Sequence, residues 1–187
     1  HYDKRGFFVY VYLDNSATTP LDPRVVEAMQ PYWQEQFANP SSPHHLGVTA
    51  EKTLTRCRQY LAQVFATKPH ELIFTSGGTE SNNLAILGFA LNQHQPGQII
   101  TSAIEHPSVL NPINHLVTEH NWQATYLKVN NQGILDPAEL EKEIRPETSL
   151  VSIMLVNNEN GAIQDITTIG EIIATENKKR RTNKIAF

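Results

Sequence analysis

Residues 75–83 read Thr-Ser-Gly-Gly-Thr-Glu-Ser-Asn-Asn, set between the apolar Leu72, Ile73 and Phe74 and a helical run from Leu84 to Leu91. This order predicts a strand, a tight Gly-Gly turn and a helix N-terminus rich in hydroxyls. A helix N-terminus presents N–H groups without intrahelical partners and the positive end of the helix dipole, so it accepts phosphate. Gly77 and Gly78 let the backbone approach an anion with no Cβ between them. The same residues also fit an ordinary turn in which Ser76 or Thr79 caps the helix. A short glycine-rich motif does not separate the two readings by itself.

Two further polar clusters do bear on the choice. Glu105-His106 follows the strand-like segment Gln98–Thr101, and Asn157-Asn158-Glu159 follows Leu150–Val156, just as Ser76 to Thr79 follows Leu72–Thr75. In open α/β sheets ligands bind outside the carboxyl ends of the strands. Three strand ends that carry polar side chains to one rim favour a cofactor pocket over an isolated turn.

The elements that must position these residues alternate along the chain. Strands are expected at Leu72–Thr75, Gln98–Thr101, Ala124–Val129 and Leu150–Val156, and helices near Thr79–Asn92, Ser108–Glu119, Pro137–Ile144 and Thr167–Asn177. Asp136, Pro137 and Glu139 supply a cap, a proline at the first helical position and an acidic third position. Upstream, Asp22-Pro23 starts a helix running to about Gln34. Asn39 to His45 is a loop, and a long helix spans about Gly47 to Ala66 with Ala50, Leu54, Cys57, Leu61, Val64 and Phe65 on one face. That spacing reads Cys57 as a small buried hydrophobe. The fold class is α/β, a mostly parallel sheet flanked by helices.

With 187 residues the chain can bury one sizeable core. A net charge of −4 gives no nucleic-acid footprint, and the one basic run, Lys178 to Arg181, reads as a solvated, dipole-favoured helix end. A single cysteine excludes a disulfide framework and a cysteine-based metal site, and it suits a reducing, cytoplasmic setting. The apolar run Phe7–Leu13 is too short for a membrane span and ends at Asp14, so it reads as a strand. His44-His45 is a metal pair only with further ligands, and none is evident, so no metal is expected.

Taken together, the motifs resemble a family. Tyr12-Leu13-Asp14-Asn15-Ser16-Ala17-Thr18-Thr19-Pro20 is similar to the N-terminal signature of the NifS/IscS-type cysteine desulfurases. Asn39-Pro40-Ser41-Ser42-Pro43-His44 with Gly47, the segment Phe74 to Ala85, Glu105-His106, and Val156-Asn157-Asn158-Glu159 with Gly161 match further motifs in the family's order. The resemblance runs from about Tyr12 to the end. It implies the large domain of a fold-type I pyridoxal 5′-phosphate (PLP) transferase of the class V aminotransferase group, with residues 1–11 an extra or misread segment and 12–187 its N-terminal part. It also implies transfer of sulfur from L-cysteine to an enzyme cysteine with release of L-alanine, for iron–sulfur cluster assembly and tRNA thiolation through acceptor or scaffold proteins, in a homodimer. By resemblance, Gly78 and Thr79 hold the cofactor phosphate and His106 stacks on the pyridine ring and relays protons. Asn158 reaches the ring oxygen and the substrate carboxylate, and Asn15, Ala17 and Thr18 line the substrate pocket.

The resemblance places the remaining machinery after Phe187: an aspartate for the pyridine nitrogen, a Schiff-base lysine in a Ser-x-His-Lys segment, a nucleophilic cysteine and an arginine. None of the eight lysines lies in such a context. The expectation is therefore a partial chain, inactive alone, whose strand beginning at Lys184 leaves an aggregation-prone edge. Lys178 to Asn183 departs from the small glycine-containing turn expected there, which raises a split or decayed gene product. A selenocysteine lyase or another class V enzyme is the neighbouring alternative. A non-catalytic phosphate-binding α/β module is the alternative of another class, although Gly-x-Gly-x-x-Gly and a Walker lysine are both lacking.

Overall fold

The computed structural model describes residues 11–187, and these divide into two compact units, one ending at Phe74 and one beginning at Thr75. The strand expected at Phe7–Leu13 lies mostly outside the described residues, and Val11 to Leu13 form no strand.

The first unit is helical. Helix α1 (Pro23–Met29) starts from Asp22, whose carboxylate accepts the Arg24 N–H at 2.9 Å. A single helix to Gln34 does not form. Pro31 has no N–H to donate back, so the chain breaks after Met29 and restarts as the four-residue α2 (Pro31–Gln34). Helix α3 (His45–Val64) is capped by His44, whose Nδ1 accepts the Gly47 N–H at 3.3 Å. Gly47 is required here, because a Cβ on it would collide with the carbonyl oxygens of Ser42 and Asn39 in the preceding loop. That loop is held by Asn39, whose side chain accepts the Ser41 N–H and whose carbonyl accepts the Ser42 N–H.

Two further expectations fail here. Cys57 is exposed, as are Leu54, Val64 and Phe65; the buried positions of α3 are Gly47, Thr53 and Ala62. Helical spacing finds an apolar face and says nothing of whether anything covers it. Here the face opens on a groove of about 880 Å³ lined by Val25, Met29, Tyr32, Trp33, Leu54 and Cys57. Leu72–Thr75 also forms no strand. The Leu72 carbonyl accepts Nη1 of Arg58 at 2.6 Å, and the Arg58 guanidinium sits 4.6 Å from the Phe74 ring centroid. A side chain thus takes the place that a neighbouring strand would fill.

The second unit is a three-layer α/β sandwich. In chain order it comprises α4 (Gly78–Leu91), β1 (Gln98–Ser102), α5 (Pro107–Glu119), β2 (Gln123–Leu127), α6 (Pro137–Glu143), β3 (Thr148–Ser152) and α7 (Ile166–Lys179). The strands are all parallel in the order β2-β1-β3, with Gln98 opposite Gln123 and Thr101 opposite Ser152. The central strand β1 is buried throughout, as expected for a strand covered on both faces. Its successive side chains part to opposite sides. Ile99 packs with Ile86, Ile113 and Leu116 of α4 and α5, and Ile100 packs with Leu140, Ile169 and Ile173 of α6 and α7. Beyond α7, Ala186 makes a parallel bridge to Leu150, so the strand expected from Lys184 is represented by one pairing.

The basic run at the end of α7 is not simply solvated. The Arg180 side chain is 9% exposed, and Nη1 donates to the carbonyls of Thr148, Pro146 and Asn183 while Nη2 donates to that of Arg145. Its Nε faces Glu176 at 3.4 Å. Asn183 takes the left-handed conformation (φ 53°) that a glycine would otherwise supply. Arg180→Ala is expected to destabilise this unit by about 1–2 kcal/mol, because the partly buried Thr148 carbonyl and three exposed ones lose one charged donor together. Urea unfolding followed by fluorescence of the buried Trp122 measures it, and a change below about 0.5 kcal/mol would contradict the clamp.

Candidate functional site

Three segments of the second unit meet beyond the carboxyl ends of its strands: the turn into α4, the β1–α5 connection and the turn after β3. Hydrogen bonds lock them together. Asn82 of α4 donates from Nδ2 to Ser108 Oγ of α5 at 2.8 Å. Glu105, 6% exposed, accepts the Ser102 hydroxyl at 2.7 Å and the Met154 N–H at 2.8 Å on one carboxylate oxygen. Asn157 donates from Nδ2 to the Ile104 carbonyl at 3.1 Å. Burial raises the Glu105 carboxyl above the ordinary glutamate range, and the two hydrogen bonds oppose that rise without cancelling it.

The turn into α4 resolves the question of its cap. Neither Ser76 nor Thr79 caps the helix. The N-cap is Gly77, with no side-chain hydrogen bond to the first turn. Ser76 is otherwise engaged: its N–H and hydroxyl both donate to the Glu80 carboxylate, at 2.7 and 2.5 Å, and hold that carboxyl below the usual range. Thr75 Oγ1 and Ser81 Oγ lie 2.6 Å apart. Gly78 and Thr79 are the first two helical residues, both exposed, and a Cβ on Gly77 or Gly78 would meet no atom within 4 Å. The terminus of a 14-residue helix thus stands uncapped with open space in front of it, a fitting seat for a phosphate group.

His106 is exposed and forms the N-cap of α5. Its Nδ1 accepts the Ser108 N–H at 3.0 Å and lies 2.8 Å from Ser108 Oγ. Asn158 is exposed at the tip of a tight turn built by its neighbour. Asn157 is buried; its Oδ1 accepts the N–H groups of Glu159 and Asn160, and Gly161 closes the turn in the left-handed region (φ 73°). Gly78, Thr79, His106 and Asn158 therefore all belong to one tied set of segments. Asn15, Ala17 and Thr18 belong to the first unit, in an exposed turn whose Ala17 N–H donates to the Asp14 carbonyl at 3.1 Å. Among the described residues no group of three or more His, Cys, Asp or Glu side chains could hold a metal ion, and His44 serves as a helix cap.

Sequence reasoning placed Glu105 in a motif without a role of its own and passed over Ser108 and Asn82. A serine at the expected start of the helix that follows Glu105-His106 was the available signal for Ser108.

A parallel sheet covered by helices, with a helix N-terminus that has no side-chain cap and a histidine beyond the carboxyl ends of its strands, defines an α/β domain of the doubly covered kind. The family model for aminotransferase class V matches residues 11–179, and the chain belongs to that family. It is 46% identical over 163 residues to the cysteine desulfurase IscS of Dictyoglomus turgidum, a match covering 87% of this chain and 41% of that protein. A solved NifS-like protein superposes with a TM-score of 0.83 at 37% identity, over 91% of this chain and 47% of the other. SspA, solved in complex with cysteine, superposes with a TM-score of 0.81 at 38% identity, over 86% of this chain and 46% of the other. The chain thus spans less than half the length of the relatives it matches. Among the described residues no helix is long and apolar enough to cross a membrane.

Proposed function

We propose that this chain is the phosphate-anchoring portion of a PLP-dependent cysteine desulfurase. The observation that carries the reading is the uncapped N-terminus of α4 standing beside His106 at the carboxyl rim of the parallel sheet. Backbone N–H groups of Gly78 and Thr79, with the Thr79 hydroxyl, would hold the phosphate dianion, and the helix dipole adds to the attraction. Serine is not the phosphate ligand in this reading, because Glu80 already holds both donors of Ser76. The His106 imidazole would lie against the pyridine ring, and Asn158 would reach the ring oxygen and the substrate carboxylate. Asn15, Ala17 and Thr18 are assigned to the substrate side by the family resemblance.

When bound, PLP supplies an electron sink, and the protein supplies its orientation. The whole protein containing this chain would act on L-cysteine and release L-alanine, leaving sulfur as a persulfide on an enzyme cysteine. That sulfur would pass to acceptor or scaffold proteins of iron–sulfur assembly, with the enzyme working as a cytoplasmic homodimer.

Equilibrium dialysis of the chain against PLP, with pyridoxal as the phosphate-free control, tests the anchor. Thr79→Val is expected to weaken PLP binding about tenfold or more, since a hydrogen bond to a charged group contributes ~1.5–3 kcal/mol. Pyridoxal binding should not change. Equal PLP affinity in Thr79→Val and the parent would sink the phosphate assignment. For the whole enzyme, sulfide released without equimolar alanine from L-cysteine would contradict the proposed reaction.

A further inference from the structure

His106 is the only imidazole at the rim that is both exposed and hydrogen-bonded on one nitrogen among the described residues of these three segments, and its surroundings fix more than its position. Its Nδ1 accepts the Ser108 backbone N–H, a group that cannot reverse its role. An Nδ1 that accepts a hydrogen bond carries no hydrogen, so in the neutral ring the hydrogen resides on Nε2. Ser108 Oγ lies 2.8 Å from the same nitrogen and must therefore donate to it as well. With its hydrogen given to Nδ1, the hydroxyl has only lone pairs left to offer, and Asn82 uses one of them, its Nδ2 donating to Ser108 Oγ at 2.8 Å. The amide orientation of Asn82 follows from the same chain, because the opposite flip would aim a carbonyl oxygen at Oγ and compete for the one hydroxyl hydrogen.

The relay has the properties of a supporting shell. Ser108 is 7% exposed and Asn82 is partly buried, while His106 stands at the surface. Asn82 also lies one turn into the helix whose N-terminus carries Gly78 and Thr79. The phosphate-facing turn and the histidine are thus joined through two side chains rather than through a loop.

We propose that Asn82 and Ser108 are positioning residues that hold His106 as the neutral Nε2–H tautomer, with its ring fixed relative to the start of α4. This rests on the reading of His106 as the residue facing the cofactor ring. It modifies one expectation within that reading: the outward nitrogen of His106 offers a hydrogen, so in its neutral form the ring acts there as a donor and a flat packing surface, not as a proton acceptor.

The test is long-range ¹H–¹⁵N correlation of the histidine side chains in the uniformly ¹⁵N-labelled full chain, recorded without cofactor at a pH where His106 is neutral. His106→Gln assigns the signals. A pyridine-type Nδ1 and a pyrrole-type Nε2 are expected. Ser108→Ala and Asn82→Ala keep the Ser108 backbone N–H, so Nδ1 should remain pyridine-type while its shift moves part of the way toward the averaged value of a free imidazole, and Ser108→Thr, which keeps the hydroxyl, should restore it. A pyrrole-type Nδ1 in the parent overturns the proposal, and so does an Nδ1 shift unchanged in a folded Ser108→Ala. Should Ser108→Ala fail to fold, the parent tautomer and the Asn82→Ala shift decide the matter. Titration with PLP then separates the two readings. A relay that stands while PLP leaves the His106 signals unmoved keeps the tautomer assignment and removes His106 from the cofactor site.

Discussion

Gln98→Leu is expected to destabilise the sheet-containing unit by about 3–4 kcal/mol, although it replaces one buried side chain by another of similar size. Gln98 opens the central strand and is 1% exposed. Its Nε2 donates to Thr125 Oγ1 of β2 at 2.9 Å and to the Glu143 carbonyl at the end of α6 at 3.3 Å. Its Oε1 accepts the hydroxyl of Thr148, the first residue of β3, which is fully buried. One amide therefore ties all three strands and one covering helix at the amino end of the sheet. Leucine would take a partner from the buried Thr148 hydroxyl, which would keep only the Arg145 N–H, and from the partly buried Thr125 hydroxyl and Glu143 carbonyl, and a buried polar group left short of a partner costs ~1–3 kcal/mol. Urea unfolding monitored by Trp122, 4% exposed on the α4–α5 side of the sheet, should show a lowered midpoint with an unchanged slope. The double variant Gln98→Leu/Thr125→Val should recover part of the loss, because one orphan disappears with its partner. A Gln98→Leu protein within about 1 kcal/mol of the parent would show that the network is not a structural tie.

That network also marks where the sequence stops being legible. The helices from Gly78 onward and the three strands follow from local signals: short strand segments around Ile99-Ile100, Tyr126-Leu127 and Leu150-Val151, the Asp136-Pro137 start, and polar turns between them. The placement of Glu105, His106 and Asn158 at strand ends followed from the same pattern. What was not legible depends on partners remote in sequence. Leu72–Thr75 has strand composition, but a strand exists only against a neighbour, and its first carbonyl is taken by Arg58. Cys57 has core spacing, yet its face lines an open groove. Arg180 lies in a run that looks solvated, yet it gathers carbonyls from residues more than thirty positions upstream. Composition and periodicity report what a side chain could do, and the fold decides which remote group it meets.

Glu105→Ala and Glu105→Gln are expected to part sharply, and the way they part tests the rim of the sheet. Glu105 is nearly inaccessible, and one of its oxygens accepts both the Ser102 hydroxyl and the Met154 N–H. It thereby joins the end of β1 to the chain leaving β3, directly before His106. Alanine removes the acceptor and leaves the buried Ser102 hydroxyl and the partly buried Met154 N–H without it, for a loss of about 2–3 kcal/mol. Glutamine keeps an acceptor in the same place without the charge, so its stability near neutral pH should equal or exceed that of the parent. The pH dependence follows from the direction of the shift. Burial raises the native carboxyl above its unfolded value, so between the two values the native state binds more protons than the unfolded state. The contribution of Glu105 to stability is thus greatest below about pH 4.3, falls as pH rises through the raised native value, and is level above it. Glu105→Gln should remove that descending segment when its unfolding free energy is compared with the parent's across the acid range. If the difference between the two proteins stays constant with pH, burial of the carboxylate carries no energetic cost, and the rim is held by the hydrogen bonds alone.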